Sequence, residues 1–358
     1  MAAEPTAPVW LIDSTLRDGE QAPGIAFSRK EKMRVARMLD ETGIDEIEAG
    51  TPAMGEDEQQ SIRALVRLRL KARISVWSRA LKSDVEAAAT TGAQGIHIAF
   101  PLSDIQLKSM NKDWNWVRDT LPEMLAFARA QFRYVSVGAQ DAGRSGRERL
   151  FRFIEMAQDM HACRVRIADT VGVLSPLETM KLIREVRESF PAMPLDFHGH
   201  NDLGMATANT ITAWQSGATA LSVTVNGLGE RAGNAALEEV VMALSQLQPA
   251  SRYASTKLFA LCQYVSLLSN RPIPPDKPIC GSMVFSHESG IHAKATLAQT
   301  TAYQAFDGES VGRESSRILF GKHSGKGALI ALLKRYNIPI DEEALPGLMD
   351  NLKFTQKH

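Results

Sequence analysis

Short runs of β-branched or apolar residues recur along the chain, each followed by a stretch with apolar positions every three to four residues. This alternation of strand and helix builds a parallel sheet. Eight strand-like runs stand out: Val9 to Ser14, Asp45 to Ala49, Arg73 to Trp77, Gly95 to Ala99, Tyr134 to Gly138, Arg164 to Ala168, Leu195 to His198 and Ala220 to Val225. Helical periodicity predicts Arg29 to Thr42, Asp57 to Leu70, Val117 to Gln131, Gly146 to Met160, Pro176 to Phe190 and Gly204 to Ser216 between them. Glycine marks several helix-to-strand connections, at Thr42-Gly43, Thr91-Gly92 and Ser216-Gly217, because it takes the left-handed conformation that stops a helix.

Eight β/α units in about 250 residues predict an α/β fold, a (β/α)8 TIM barrel with its active site on the rim of C-terminal strand ends. An open doubly wound sheet would place a Gly-rich turn after strand 1. The chain instead reads Thr15-Leu-Arg-Asp-Gly-Glu-Gln there, with no GxGxxG. Beyond strand 8 the character changes. Pro272, Pro274, Pro275 and Pro278 interrupt any helix between Ser266 and Pro278 and predict a linker. The expected organisation is a catalytic barrel over residues 1–250, a helix and Pro-rich linker over 251–279, and a small, mostly helical subdomain over 280–358.

Charge and cysteine content remove some function classes. Lys plus Arg and Asp plus Glu are both 41, so no basic surplus points to nucleic acid or an anionic membrane. No apolar run approaches the roughly 18 to 20 residues needed to span a bilayer, and the first eight residues do not read as a secretory signal. A cytoplasmic location is expected. Cys163, Cys262 and Cys280 lie far apart and read as ordinary thiols rather than a disulfide framework or a CxxC site. The segment Gly321-Lys-His-Ser-Gly-Lys lacks the spacing of a phosphate loop.

The rim carries the chemistry. In His198-Gly-His200, two imidazoles at i and i+2 leave the same side of a strand and can grip one metal ion. Two histidines alone do not close a site, and a pair of hydrogen-bonding loop histidines is the alternative. Closing the barrel brings strand 1's Arg17-Asp18 to the same rim, along with Thr51, Arg79, Gln140 and Thr170 from the neighbouring strand ends. Asp18 thereby becomes a candidate third ligand, giving an O,N,N set with open positions for a bidentate substrate. Its other reading is a helix cap or loop carboxylate.

Four motifs in order carry a resemblance: Ser14-Thr-Leu-Arg-Asp-Gly-Glu-Gln21, the run His198 to Asp202, Asn226-Gly-Leu-Gly-Glu-Arg-Ala-Gly-Asn234 and His287-Glu-Ser-Gly-Ile-His292. Together they resemble the acyl-CoA-condensing TIM-barrel metallolyases, the homocitrate, 2-isopropylmalate and citramalate synthases, over Leu11 to about Gly325. Gly50-Thr-Pro-Ala-Met-Gly-Glu-Asp-Glu58, Val76-Trp-Ser-Arg79, Ala168-Asp-Thr-Val-Gly172 and Asp202-Leu-Gly-Met-Ala-Thr-Ala-Asn-Thr210 look most like homocitrate synthases of nitrogenase-cofactor type. A leucine-type regulatory domain is not expected.

The resemblance implies one divalent metal ion (Zn, Mn, Mg, Fe or Co) held by Asp18, His198 and His200 with Asn234 close by, and acetyl-CoA as co-substrate. It implies a charge-stabilising role for Arg17, and proton transfer or hydrolysis assisted by His292 and Tyr303. It also implies a domain-exchanged homodimer and a CoA-facing segment with Asn226, Gly227, Gly229, Glu230, Arg231 and Gly233. Strand 5 of relatives usually ends in a glutamate, whereas this chain has Gln140, which orients by hydrogen bonds but accepts no proton. The 2-oxo acid is expected to meet Thr51, Trp77, Arg79, Ser136 and Thr170, with Arg79 pairing a distal anion, although a salt bridge within the chain and core packing are the plainer readings of Arg79 and Trp77. 2-Oxoglutarate is the first expectation and phosphonopyruvate the second. A retro-aldol lyase and an inactive binding barrel remain as alternatives.

Overall fold

The computed structural model describes residues 9–248, 252–289, 295, 299, 302–314, 317–321, 324–341 and 343–355. Its eight first strands are β1 Trp10–Asp13, β2 Glu46–Glu48, β3 Arg73–Arg79, β4 Gly95–Pro101, β5 Tyr134–Gln140, β6 Arg164–Asp169, β7 Leu195–Gly199 and β8 Ala220–Val223. They form one closed barrel in sequence order. All pairs are parallel, and β1 meets β8 with Trp10 opposite Ala220 and Asp13 opposite Val223. The helices are α1 Arg29–Thr42, α2 Glu56–Arg67, α3 Lys82–Ala89, α4 Asp104–Ser109, α5 Trp114–Arg129, α6 Arg147–Asp159, α7 Pro176–Ser189, α8 Ala206–Gln215, α9 Leu237–Leu247 and α10 Leu258–Ser269.

Local chemistry sets many of these boundaries. α1 opens with a capping box in which Ser28 accepts from the Glu31 backbone N–H and the Glu31 carboxylate accepts from that of Ser28. It stops at Gly43, whose φ of 88° places it in the left-handed region. Ser175 and Glu178 form the same box for α7, with Pro176 at the first helical position. β3, β4 and β5 run two residues beyond the sequence expectation. Arg79 still pairs with Ala99 and Gln140 with Pro101, so ladder hydrogen bonding continues where polar side chains suggested a loop.

β6 shows how the barrel is filled. Arg-Val-Arg-Ile-Ala-Asp is buried at every position, as a strand covered on both faces must be. Arg164 pairs with Glu46, while Arg166 pairs with Glu48 and Asp196. Asp196 also accepts from Ser222 Oγ at 3.0 Å. The interior therefore carries an ion-pair network. Such pairs add little stability over a well-packed apolar core, but removing one partner is costly because it leaves a charge desolvated.

Residues 1–254 and 264–271 form one compact unit, and residues 255–263 and 272–358 form another. In the second, β9 Ser286–His287 pairs in parallel with β10 Arg317–Ile318. Its helices α11 Lys326–Arg335 and α12 Leu345–Thr355 pack Leu329, Leu333 and Leu345 against Phe320, Ile340 and Met349. Among the described residues no helix is long and apolar enough to cross a membrane.

Candidate active site

The turn after β1 builds the first half of the site. The backbone N–H groups of Arg17, Asp18 and Gly19 all donate to the Ser14 carbonyl, at 3.0, 2.8 and 3.1 Å. This coil carries Arg17 and Asp18 onto the C-terminal rim. β7 supplies the second half: His198 lies within the strand, and His200 follows it in an isolated bridge with Asn234.

The three side chains converge. His198 Nε2 lies 3.3 Å from His200 Nε2 and 3.3 Å from Asp18 Oδ2, and His200 Nε2 lies 3.9 Å from the same oxygen. All three residues are buried. Burial opposes ionisation of Asp18, but the charges of Arg17 and the two histidines hold its carboxyl well below the usual range. Burial lowers His200 to about 4, with His198 and Arg17 adding to the effect and Asp18 opposing it. A neutral imidazole offers a lone pair.

These observations test whether a metal ion fits. Asp18 Oδ2, both histidine Nδ1 atoms and Asn234 Oδ1 are buried without hydrogen-bond partners. Asp18, His198 and His200 present one carboxylate oxygen and two ring nitrogens within 4.8 Å of one another. One carboxylate oxygen and two imidazole nitrogens converging in a buried pocket are the kind of donor set a divalent ion takes up, so these residues fit one.

Arg17 is fixed on two sides. Its Nη2 lies 2.6 Å from Glu48 Oε2, its Nη1 lies 3.3 Å from Asp18 Oδ1, and its guanidinium stands 5.9 Å from the centre of the Trp77 ring. Glu48 is lowered to about 2: burial opposes ionisation, and the charges of Arg166 and Arg17 overcome it. A cavity of about 240 Å³ takes in the Asp18 and histidine cluster together with Arg17, Trp77 and Gln140. Thr170, Glu230 and Arg231 also reach it. An adjoining cavity of about 500 Å³ shares Arg17 and Trp77 and adds Thr51, Arg79 and the apolar Leu16, Ile25 and Met54.

Two substrate expectations need correction. Arg79 donates from Nε and Nη2 to the two carboxylate oxygens of Asp84, at 2.7 and 2.9 Å, and its side chain is 57% exposed. Its ion pair is made within the chain, because Asp84 opens helix α3 directly beside the strand end. Ser136 does not line the cavity; it is buried at 2.9 Å from His97 Nδ1, where the inward parity of β5 places it beneath the wall.

The segment from Asn226 to Asn234 folds back on itself. Asn226 and Gly227 have φ of 59° and 70°. A Cβ on Gly233 would come within 2.0 Å of the Gly227 carbonyl oxygen, and one on Gly229 within 2.2 Å of Asn234 Nδ2. The glycines thus allow a close backbone crossing that positions Asn234. Arg231 ties three rim loops together by donating to Asp202 Oδ1 and to the Thr170 carbonyl, at 2.8 and 2.7 Å. Tyr303 belongs to the second unit and is 47% exposed, and His292 lies outside the described residues.

Glu48, His97 and Arg166 were not singled out from the sequence. The available signal was charged or polar residues at alternating positions inside otherwise apolar strands, as in Arg164-Val-Arg166-Ile.

Comparison with known proteins agrees with this architecture. Residues 8–265 match the HMGL-like family, and residues 279–358 match the homocitrate synthase post-HMGL domain-like family. The 2-isopropylmalate synthase 2 of Caldanaerobacter subterraneus subsp. tengcongensis is 42% identical over 355 residues, covering 99% of this chain and 92% of the other. Homocitrate synthase 1 of Nostoc sp. is 40% identical over 347 residues, covering 96% and 92%. A putative (R)-citramalate synthase of Methanopyrus kandleri is 39% identical over 354 residues, covering 98% and 69%. Among solved structures, an HMG-CoA lyase of Bacillus subtilis shares the fold with a TM-score of 0.68 at 21% identity, over 76% of this chain and 96% of that one. The chain belongs to the HMGL-like family and, within it, to the 2-oxo acid-condensing TIM-barrel proteins that include the homocitrate, 2-isopropylmalate and citramalate synthases.

Proposed function

We propose that the protein is an acyltransferase that condenses acetyl-CoA with a 2-oxo acid, 2-oxoglutarate being the first choice, to give homocitrate and free CoA. The observation that carries this reading is the convergence of Asp18, His198 and His200, with their unpartnered buried atoms, beside Arg17 in one cavity. The names of the relatives, all condensing synthases, support the reaction class.

Asp18, His198 and His200 would hold the metal, with Asn234 beside them. When bound, a divalent ion supplies Lewis acidity toward the carbonyl of a 2-oxo acid. Arg17, anchored by Glu48, would stabilise the negative charge that grows on the acceptor oxygen as the carbon–carbon bond forms. The acetyl methyl group gives up a proton, its carbon attacks C2 of the oxo acid, the acceptor oxygen takes a proton, and water cleaves the thioester to release the thiol. Gln140 can orient a reactant by hydrogen bonding but cannot take the methyl proton. That task falls to His292 or water, with Tyr303 assisting. Asn226, Gly227, Gly229, Glu230, Arg231 and Gly233 would face CoA, and the protein would act as a homodimer.

Phosphonopyruvate is the second reading, favoured by the arginines at the cavity, Arg17, Arg166 and Arg231. The test is a thiol-release screen with acetyl-CoA and 2-oxoglutarate, phosphonopyruvate, oxaloacetate, pyruvate or 2-oxoisovalerate, repeated after chelation. Release with 2-oxoglutarate that chelation abolishes is expected. A preference for 2-oxoisovalerate would sink the homocitrate reading, and no release with any acid would sink the condensation itself.

A further inference from the structure

The chemistry proposed above makes no use of the cysteines. Cys262 and Cys280 are far apart in the sequence, one on α10 and the other just past the Pro-rich linker, and both belong to the second unit. Each is almost fully buried, at 0% and 1% exposure. Their sulfurs nonetheless lie within 4.8 Å of one another, and both are thiols. A pair brought this close inside a fold differs from ordinary cysteines, because oxidation of one leaves it facing a second nucleophile.

The backbone at Cys280 is held in an unusual conformation. Its N–H donates to the Pro278 carbonyl at 2.7 Å across Ile279, whose φ is 68°. This is the rare γ-turn with a left-handed centre, strained for most residues and especially for a β-branched one. Such strain persists only where the surroundings enforce it. Here Arg313 donates from Nη1 to the carbonyls of Ile279 and Gly281, at 3.3 and 2.5 Å, and from Nη2 to that of Ser282 at 3.4 Å. Its guanidinium stands 4.8 Å from the centre of the Phe259 ring and 5.0 Å from that of Phe285. Phe259 precedes Cys262 by one turn of α10, so the same clamp ties the strained turn to the helix that carries the facing thiol. Gly281 packs so closely that a Cβ there would come within 2.7 Å of the Lys277 carbonyl oxygen. A cavity of about 270 Å³ reaches residues near both thiols: Phe259 on α10 and Ser282 beyond Cys280 line it together with Arg313.

We propose that Cys262 and Cys280 form an oxidisable dithiol site, which hydrogen peroxide converts to a disulfide that closes α10 and the Pro-rich linker into one covalent ring. One sulfur attacks a peroxide oxygen, the O–O bond breaks, a sulfenic acid forms, and the departing hydroxide takes the thiol proton and leaves as water. The second sulfur attacks the sulfenic sulfur, the S–S bond forms, and the sulfenic hydroxyl leaves with the second thiol proton as another water. Two electrons pass from the sulfurs to the peroxide. The ring includes Pro272, Pro274, Pro275 and Pro278 and restricts the unfolded chain, so the oxidised protein is the more stable form.

The test treats the full-length native chain with hydrogen peroxide, removes the excess with catalase, alkylates the remaining thiols in denaturant and maps the unreduced peptides by mass spectrometry. The wild type is expected to lose about 2 Da before alkylation and to yield one linked peptide pair, Cys262 with Cys280, within hours. Alkylation should then mark Cys163 alone, where the reduced chain is marked at all three cysteines. Dithiothreitol reverses each change. The midpoint of thermal unfolding should rise by about 3 °C or more on oxidation, and neither Cys262→Ser nor Cys280→Ser should show the rise or the mass change. Cys163 is less buried than the other two, so oxidation governed by exposure would mark it first. A disulfide through Cys163 or between two chains, a single cysteine carried to the sulfinic acid, or three thiols still alkylated overturns the site. If a serine variant fails to fold, the wild-type peptide map and its reversal decide. Turnover does not enter these readouts, so the dithiol site and the condensation reading stand or fall separately.

Discussion

Replacing Asp13 by Asn should stabilise the folded chain at neutral and alkaline pH and leave it unchanged in acid. Asp13 ends β1, is fully buried, and accepts from the Thr15 backbone N–H at 2.9 Å and from its hydroxyl at 3.0 Å. Burial pushes its carboxyl up from 3.8 to about 7; the bonds from Thr15 oppose the rise, and the charges of Glu238 and Glu48 add to it. The folded state thus holds this proton more tightly than the unfolded state. The stability contributed by the protonated form is fully present below pH 3.8 and is lost as the pH rises through about 7. At about 1.4 kcal/mol per pH unit the interval amounts to about 4 kcal/mol. Asparagine matches the shape, keeps the bond from the Thr15 N–H, and does not titrate. Urea unfolding of wild type and Asp13→Asn between pH 4 and pH 8 isolates the term, because other titrations cancel in the difference. The advantage of the variant should be near zero at the acid end and reach several kcal/mol at the alkaline end. A difference that does not vary with pH, or a variant less stable than wild type at pH 8, would refute the reasoning.

Lys32 is 2% exposed, with its Nζ 2.6 Å from both Glu20 Oε2 and Glu58 Oε2. Lys32→Met should cost about 3–5 kcal/mol by leaving two carboxylates without their cation, and denaturant unfolding should show the loss shrinking in acid as they protonate. His198→Ala removes one of three converging ligands, and isothermal titration should show a loss of metal affinity greater than the roughly 10–100-fold typical of groups that only orient a ligand. Gln140→Glu adds a carboxylate to the cavity wall and should raise kcat with little change in KM, introducing an acidic limb in the pH–rate profile. Turnover unchanged with every 2-oxo acid would show that the proton moves elsewhere.

The candidate metal cluster was legible because its logic is local. His198-Gly-His200 needs only strand geometry, and Asp18 needs only the rule that strand ends share a rim. The wall opposite was less legible. β4 and β6 are buried on both faces, so the polar positions within them mark one face without showing whether that face points into the barrel. Arg166 and His97 were therefore passed over, while Arg79, at the end of a strand expected to stop at Trp77, looked available. Its true partner, Asp84, is five residues away, a separation that no regular periodicity marks.

The order of apolar runs, the helix caps at Ser28 and Ser175, the stop at Gly43 and the residues that can ligate a metal are determined by the sequence itself, because each depends on interactions within a few residues. Tertiary structure decided which charges meet. Closure of β8 onto β1 and the inward parity of each strand bring Arg17, Glu48, Arg166 and Asp196 into one chain of ion pairs spanning positions 17 to 196. A buried guanidinium must find carboxylates wherever the fold places them, and only that placement leaves Arg166 Nη2 buried without a hydrogen-bond partner.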